Sequence, residues 1–282
     1  MNATTPPIVM IFAASDPTGG AGLQADLMTV SSMGCYGVTV TTGLTVQDTT
    51  GVEDFMPLEA DFVDDQARVV LEDMPISAFK LGVLGSVETV AVVAEIVSDY
   101  PEIPLVLDPV LASGRGDAFA DDEVLSAMRE LLIPQATIIT PNSIEARRLA
   151  FTSEDGEDDS ALDLSVCAKR LIEWGTEFVL ITGTHENSVE VINYLYSEDG
   201  LMRSDAWQRL SGSFHGSGCT LASALAALLA NGLDIPEAVR EAQEYTWQTL
   251  SAGFRPGMGQ HLPDRFFWAR ELQAAEGNGT RQ

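Results

Sequence analysis

Short, almost unbroken apolar runs alternate along the chain with longer segments in which apolar residues recur every third or fourth position. IVMIFAA at residues 8–14, LVLDPVL at 105–111 and FVLITG at 178–183 are nearly continuous in apolar residues. A strand covered on both faces reads this way, because neither of its alternating sides meets water. Strands are expected over residues 8–14, 38–46, 78–84, 105–111, 136–140 and 178–182. Between them ADFVDDQARVVLEDM, VETVAVVAEIVSDY, DDEVLSAMRELL and DLSVCAKRLIEWG carry the helical period. Strand and helix in alternation predict an α/β fold with a mostly parallel sheet and flanking crossover helices.

The pattern changes after residue 182. SVEVINYLYS and LMRSDAWQRL flank Ser-Glu-Asp-Gly and predict an antiparallel hairpin. Two helices then close the chain, one beginning near Gly218 and one with Pro236 in its first turn. Residues 1–282 carry no internal repeat and no interdomain linker, so a single domain is expected. The acidic stretch TSEDGEDDSALD, residues 152–163, is expected to be a solvated, mobile surface loop.

Charge narrows the partners. Forty-two acidic against 15 basic side chains give a formal charge of −27. A field of that sign repels nucleic acid and anionic membrane surfaces, so neither is an expected partner. No run of 18 apolar residues predicts a spanning helix, and the first residues lack a basic leader, so a cytoplasmic location is expected. Cys35, Cys167 and Cys219 are too widely spaced for a zinc cluster, and an odd number does not suggest a disulfide framework.

Four polar clusters follow strand ends, where open α/β sheets bind ligands. The first is ASDPTGGAGLQADL, whose Gly19, Gly20 and Gly22 lead into a helix; its spacing is neither a dinucleotide fingerprint nor a Walker loop. Three glycines followed by Gln24 and Asp26 suggest close backbone approach to a ligand. In LTVQDTTG, Gln47 ends a strand with a side chain able to donate and accept in one plane, which suits an aminopyrimidine edge. Asp108 in LVLDPVL and Asn142 with Glu145 in ITPNSIEA fit an oxygen shell for Mg²⁺, although Asn142 and Glu145 equally fit a helix capping box. The last cluster is HGSGCT. Amides of Gly216, Ser217, Gly218 and Cys219 at a helix N-terminus bind anions without side-chain charge, and a thiol placed there is expected to titrate below its usual value of about 8.5. Packing of the small face Ala222, Ala224, Ala226 and Ala227 against the sheet is expected alongside.

In this order SDPTGGAGLQADL, LTVQDTTGV, LDPV, ITPNSIEA and HGSGCTLASALAAL resemble the hydroxymethylpyrimidine (phosphate) kinases of thiamine biosynthesis, in the ribokinase superfamily. The resemblance runs from about residue 8 to 267. It implies a three-layer α/β/α sandwich, a homodimer, Mg-ATP as donor, and 4-amino-5-hydroxymethyl-2-methylpyrimidine and then its monophosphate as acceptors. It further implies that Gly20, Asp26, Gln47 and Val83 border the pyrimidine, that Gly216, Ser217 and Gly218 form the anion hole, and that Cys219 stands at the position of a catalytic base. Asn142, Thr182 and Gly183 fall on the nucleotide side, Arg115 in SGRGDAF is a candidate phosphate contact, and Asp108 and Glu145 would organise the metal.

The sequence departs from the family twice. ITGTHE carries Thr182 where the family has a lysine near the nucleotide phosphates, and KLGVL carries Val83 where it has a methionine. With no cradle lysine, charge stabilisation is expected from Mg²⁺ and the helix N-terminus. A thiolate at Cys219 is expected to act as base in the first phosphorylation and to be dispensable in the second, whose acceptor is already anionic. Two other readings stay open at this point: a pyridoxal or pyridoxamine kinase of the same superfamily, and a non-catalytic pyrimidine-binding protein.

Overall fold

The computed structural model describes residues 5–112, 119–152, 155 and 159–270. Arg115 and most of the acidic stretch at 153–158 lie outside the described residues. Nine strands form one sheet in the order β3-β2-β1-β4-β5-β6-β7-β8-β9. β1 (Ile8–Ser15), β2 (Tyr36–Gln47), β4 (Ala78–Leu81), β5 (Leu105–Leu107), β6 (Ile138–Ile139) and β7 (Phe178–Ile181) run parallel. β3 (Val52–Pro57) and the hairpin of β8 (Glu190–Ser197) and β9 (Gly200–Gln208) complete the edges antiparallel.

The near-continuous apolar runs have the predicted cause. In β1, Met10 and Phe12 enter one core and Val9, Ile11 and Ala13 the other, all at most 1% exposed. The first core is closed by α2 (Ala60–Asp73), α3 (Val87–Ser98), α4 (Asp122–Ala127), α5 (Ser143–Ala150) and α6 (Leu164–Glu173). The second is closed by α1 (Gly22–Ser32), α7 (Ser217–Ala230) and α8 (Ile235–Ser251). Helices on both faces of a mostly parallel sheet make the expected three layers. In α7 the predicted small face, Ala222, Ala224, Ala226 and Ala227, is fully buried in the second core. Bringing a backbone that close to the sheet needs side chains no larger than a methyl group.

Expected and observed strands differ in one systematic way. The runs at 105–111, 78–84 and 136–140 shorten to β5, β4 and β6 because their last residues leave the ladder to line the cleft above the sheet. β3 was not expected: VEDFMP carries adjacent acidic residues and a proline, and pairs only with the extension of β2. Within the described part of the acidic stretch, Asp155 does not stand free in solvent. Its two oxygens take Arg170 at 2.6 and 2.7 Å, which corrects the expectation of a wholly solvated loop at that residue. Among the described residues, no helix is long and apolar enough to cross a membrane.

Candidate active site

The carboxyl ends of β1, β2, β4, β5, β6 and β7 and the N-terminus of α7 enclose a cleft of about 180 Å³. It opens past Thr182, Thr184, His185 and Phe214 into a second of about 380 Å³, walled by β8, β9 and α8.

The glycine turn builds the junction. Gly216 caps α7 with φ of 79°, and a methyl group there would lie 1.9 Å from the Gly20 carbonyl oxygen, so only glycine fits. Ser217, Gly218 and Cys219 then form the first turn of α7 and border the cleft, with their amides at the positive end of a 14-residue helix. The two glycine loops are locked together by Arg265, which is 3% exposed. Its guanidinium donates to the carbonyls of Gly20 at 2.6 Å and Gly19 at 3.3 Å and to Thr220 Oγ1 at 3.1 Å. Gly20 is therefore a packing residue and does not border the cleft: a methyl group on it would lie 2.4 Å from His215 Cδ2 and 2.7 Å from Leu262. Of the three glycines Gly22 borders the cleft, whereas Gly20 packs one loop against the other.

The floor carries a buried charge cluster. Asp26 is fully buried and does not line the cleft; its oxygens take Lys80 Nζ at 2.8 Å and Ser223 Oγ at 2.7 Å. This corrects its assignment to the pyrimidine. Lys80 does line the cleft, a cation that the sequence reading did not assign to the site. Its Nζ lies 4.0 Å from Asp108. Burial opposes the lysine charge, yet Asp26, Cys219 and Asp108 together raise its pKa above the usual value. Asp108 is pushed up to about 6 by burial and by Asp26, with Lys80 opposing. Glu145 is pushed up to about 8 by burial and by Asp108.

Cys219 behaves opposite to expectation. Burial pushes the thiol up to about 12; Lys80 opposes, while Asp26 and Asp108 add to the rise. The nearby carboxylates and loss of water outweigh the helix terminus, and at neutral pH the group is a thiol. Asp26, Asp108 and Lys80 all stand close enough to the sulfur to act on it electrostatically.

The remaining expected residues divide. Gln47, Val83, Asp108, Asn142, Glu145 and Thr182 border the first cleft together with Gly216, Ser217, Gly218 and Cys219. Asn142 caps α5 in a full capping box with Glu145: the Asn142 side chain accepts from the amides of 144 and 145, and Glu145 Oε2 takes the Asn142 amide at 2.9 Å. The capping-box reading of that pair holds, and the cap fixes Glu145 beside the cleft. Gly183 does not border it; its amide donates to Asn193 Oδ1 at 3.1 Å, and a methyl group would meet the Ile192 carbonyl at 2.2 Å. Asp16, His215, Lys80 and Arg265 went unassigned in the sequence. Lys80 had a signal, a lone charge inside the apolar run AFKL; Asp16 and His215 abut glycine turns; Arg265 had none.

A helix-flanked parallel sheet whose strand ends face a glycine-opened helix N-terminus defines a ribokinase-like small-molecule kinase. The structure is similar to that of the phosphomethylpyrimidine kinase of Clostridium difficile 630, with TM-score 0.72 and 32% identity over 87% of this chain and 100% of that one. It is likewise similar to the pyridoxal kinase of Staphylococcus aureus in complex with AMP-PCP and pyridoxal, with TM-score 0.82 and 28% identity over 95% and 96%. A hydroxymethylpyrimidine/phosphomethylpyrimidine kinase of Streptomyces coelicolor is 39% identical over 257 residues, 90% of this chain and 93% of the relative. The phosphomethylpyrimidine kinase family model matches residues 16–264, and the chain belongs to that family.

Proposed function

We propose that this protein transfers the γ-phosphoryl group of ATP to 4-amino-5-hydroxymethyl-2-methylpyrimidine and then to its monophosphate, in thiamine biosynthesis. The observation that carries the reading is the junction of the two clefts at Ser217, Gly218 and the Gly216 turn, where the amides of α7 meet a phosphoryl group passing from one cleft to the other. The first cleft, with Gln47 and Val83, takes the pyrimidine; the second, with Val191, Trp247 and Leu250 among its walls, takes the nucleoside. Membership of the pyrimidine kinase family favours this acceptor over pyridoxal, whose kinases share the fold.

The donor set fits Mg²⁺. Asp108 Oδ2 is buried without a hydrogen-bond donor, and Glu145 lies close enough for the charge of Asp108 to raise its pKa. No cluster of three acidic, histidine or cysteine ligands occurs among the described residues. Mg²⁺ in kinases needs no such cage, because one or two carboxylates, waters and phosphate oxygens complete its shell. Asp108 and Glu145 would hold it, and when bound it supplies neutralisation of the transferring phosphoryl charge.

The chain's own groups supply position and a proton path. As a thiol with Asp108 beside it, Cys219 has sulfur lone pairs available to the substrate hydroxyl. As the oxygen–phosphorus bond forms and the bond to the departing ADP breaks, the hydroxyl proton moves to the sulfur and the thiol proton moves to Asp108. A loose transition state makes the hydroxyl strongly acidic only late, so a preformed thiolate is not required. The second acceptor, a phosphate oxygen, has no proton to give up. The expected cytoplasmic homodimer belongs to the same reading: Leu44, Val46 and Met56 stand exposed along the β2–β3 edge beside Phe62, an apolar surface suited to a second copy.

Incubation with ATP, Mg²⁺ and hydroxymethylpyrimidine, with product analysis, is expected to yield monophosphate followed by diphosphate. Binding of the pyrimidine without ATP turnover would overturn the catalytic reading, and phosphorylation of pyridoxal alone would overturn the choice of acceptor.

A further inference from the structure

Between α8 and the β8–β9 hairpin the packing is polar where apolar side chains would serve burial as well. Gln243 on α8 is 3% exposed, and Asn193 and Asp205 are partners across the two strands. Gln243 Oε1 accepts from Asn193 Nδ2 at 2.8 Å and from the Trp207 indole Nε1 at 3.0 Å. Its Nε2 donates to Asp205 Oδ2 at 2.9 Å and to the Val239 carbonyl at 3.2 Å. Asn193 Oδ1 in turn takes the Gly183 amide at 3.1 Å.

Groups with a single role close this network at its ends and fix its direction. The Gly183 amide and the indole N–H only donate, and the Val239 carbonyl only accepts, so each side-chain amide has one allowed orientation. Both oxygens and both nitrogens of the two amides have partners. A fully satisfied buried network holds its members in one arrangement. Its two outputs reach the ligand side. Trp207 lines the second cleft and stacks on Trp247, another of its walls, with ring centroids 6.4 Å apart and planes at 29°. Gly183 lies between Thr182 and Thr184, which border both clefts. Gln243 and Asn193 stand in the second cleft's floor with their polar atoms already spent on protein partners, so they order its walls.

We propose that Gln243 is a positioning residue for the nucleotide: one side-chain amide sets the Trp207 face of the second cleft and, by way of Asn193, the turn at which the two clefts meet. The inference rests on the reading above that the nucleoside occupies the second cleft. A leucine in place of Gln243 keeps the bulk but leaves an indole N–H and an amide NH₂ unpaired behind the wall, a defect of about tenfold in affinity for whatever packs there.

Calorimetric titration in Mg²⁺ buffer with ADP and, separately, with hydroxymethylpyrimidine tests this. In Gln243→Leu, ADP binding is expected to weaken at least about tenfold while pyrimidine binding in the first cleft changes less than about twofold. General loosening of the fold would weaken both ligands alike; that result, or unchanged ADP binding, overturns the proposal. Trp207→Phe keeps an aromatic ring and removes the N–H, so it decides the matter even where Gln243→Leu does not fold. It is expected to weaken ADP about threefold and to diminish the tryptophan fluorescence change that ADP produces. On that background Gln243→Leu is expected to cost at most about threefold more, and a full tenfold loss overturns the link through Trp207. ADP binding and fluorescence that Trp207→Phe leaves untouched overturn this inference alone. Failure of the wild type to bind ADP overturns the nucleotide reading of the second cleft and this inference with it.

Discussion

Replacing Glu145 with glutamine should make the metal-free protein more stable, and increasingly so as pH rises. The folded state holds this carboxyl at about 8 against an ordinary 4.5, through burial first and the charge of Asp108 second. A folded pKa raised above the unfolded one means that the native chain keeps a proton which the unfolded chain releases. The stabilisation is full below about 4.5 and is lost as pH climbs through 8. At about 1.4 kcal/mol per unit, the interval from pH 6 to pH 8 alone removes about 2 kcal/mol. Glutamine at this position keeps the capping box with Asn142 and abolishes the titration, so the cap is not the variable. Thermal unfolding followed by circular dichroism in EDTA at pH 6 and pH 8 reads the effect. The variant should gain about 4–8 °C on the wild type between the two pH values, since about 1 kcal/mol moves a protein of this size by about 2–4 °C. Adding Mg²⁺ should close the gap by stabilising only the wild type. Parallel pH profiles for the two proteins in EDTA would refute the argument, because they would mean that Glu145 is solvated and no charge is confined beside Asp108.

The other predictions concern the transfer itself and the loops that frame it. Cys219→Ala is expected to slow the first phosphorylation by about 10²–10⁴-fold and the second by less than about tenfold, measured as separate kcat values; equal losses would assign Cys219 to positioning alone. Thr182→Lys places a cation where the two clefts join and should lower the KM for ATP at least about fivefold at low salt, with the gain fading toward ~1 M salt; an unchanged KM would mean that the phosphates do not pass that point. Arg265→Met removes the donors to Gly19, Gly20 and Thr220 and leaves buried carbonyls unpaired, which should destabilise the protein by about 3 kcal/mol in urea unfolding. A loss below about 1 kcal/mol would show that the glycine loops hold each other without it.

What was legible in the sequence is what one segment determines by itself. The six parallel strands are readable because burial on both faces leaves a local trace, an apolar run such as IVMIFAA. The glycine turn before Cys219 is readable because a positive φ at Gly216 and the small face of α7 constrain that stretch alone. Illegible were the features that exist only between segments. Nothing within LPDRFF shows that Arg265 will reach Gly19 and Gly20, more than 240 positions away, and nothing in AFKL shows that Asp26 will meet Lys80. The error over Cys219 has the same origin. A helix N-terminus lowers a thiol's pKa when it is the strongest local field, and the sequence shows that terminus. It does not show Asp26 and Asp108 converging from α1 and the end of β5 on the same buried sulfur. The sign of the shift is therefore a property of the assembled sheet, and it leaves Cys219 a thiol at neutral pH where the sequence pointed to a thiolate.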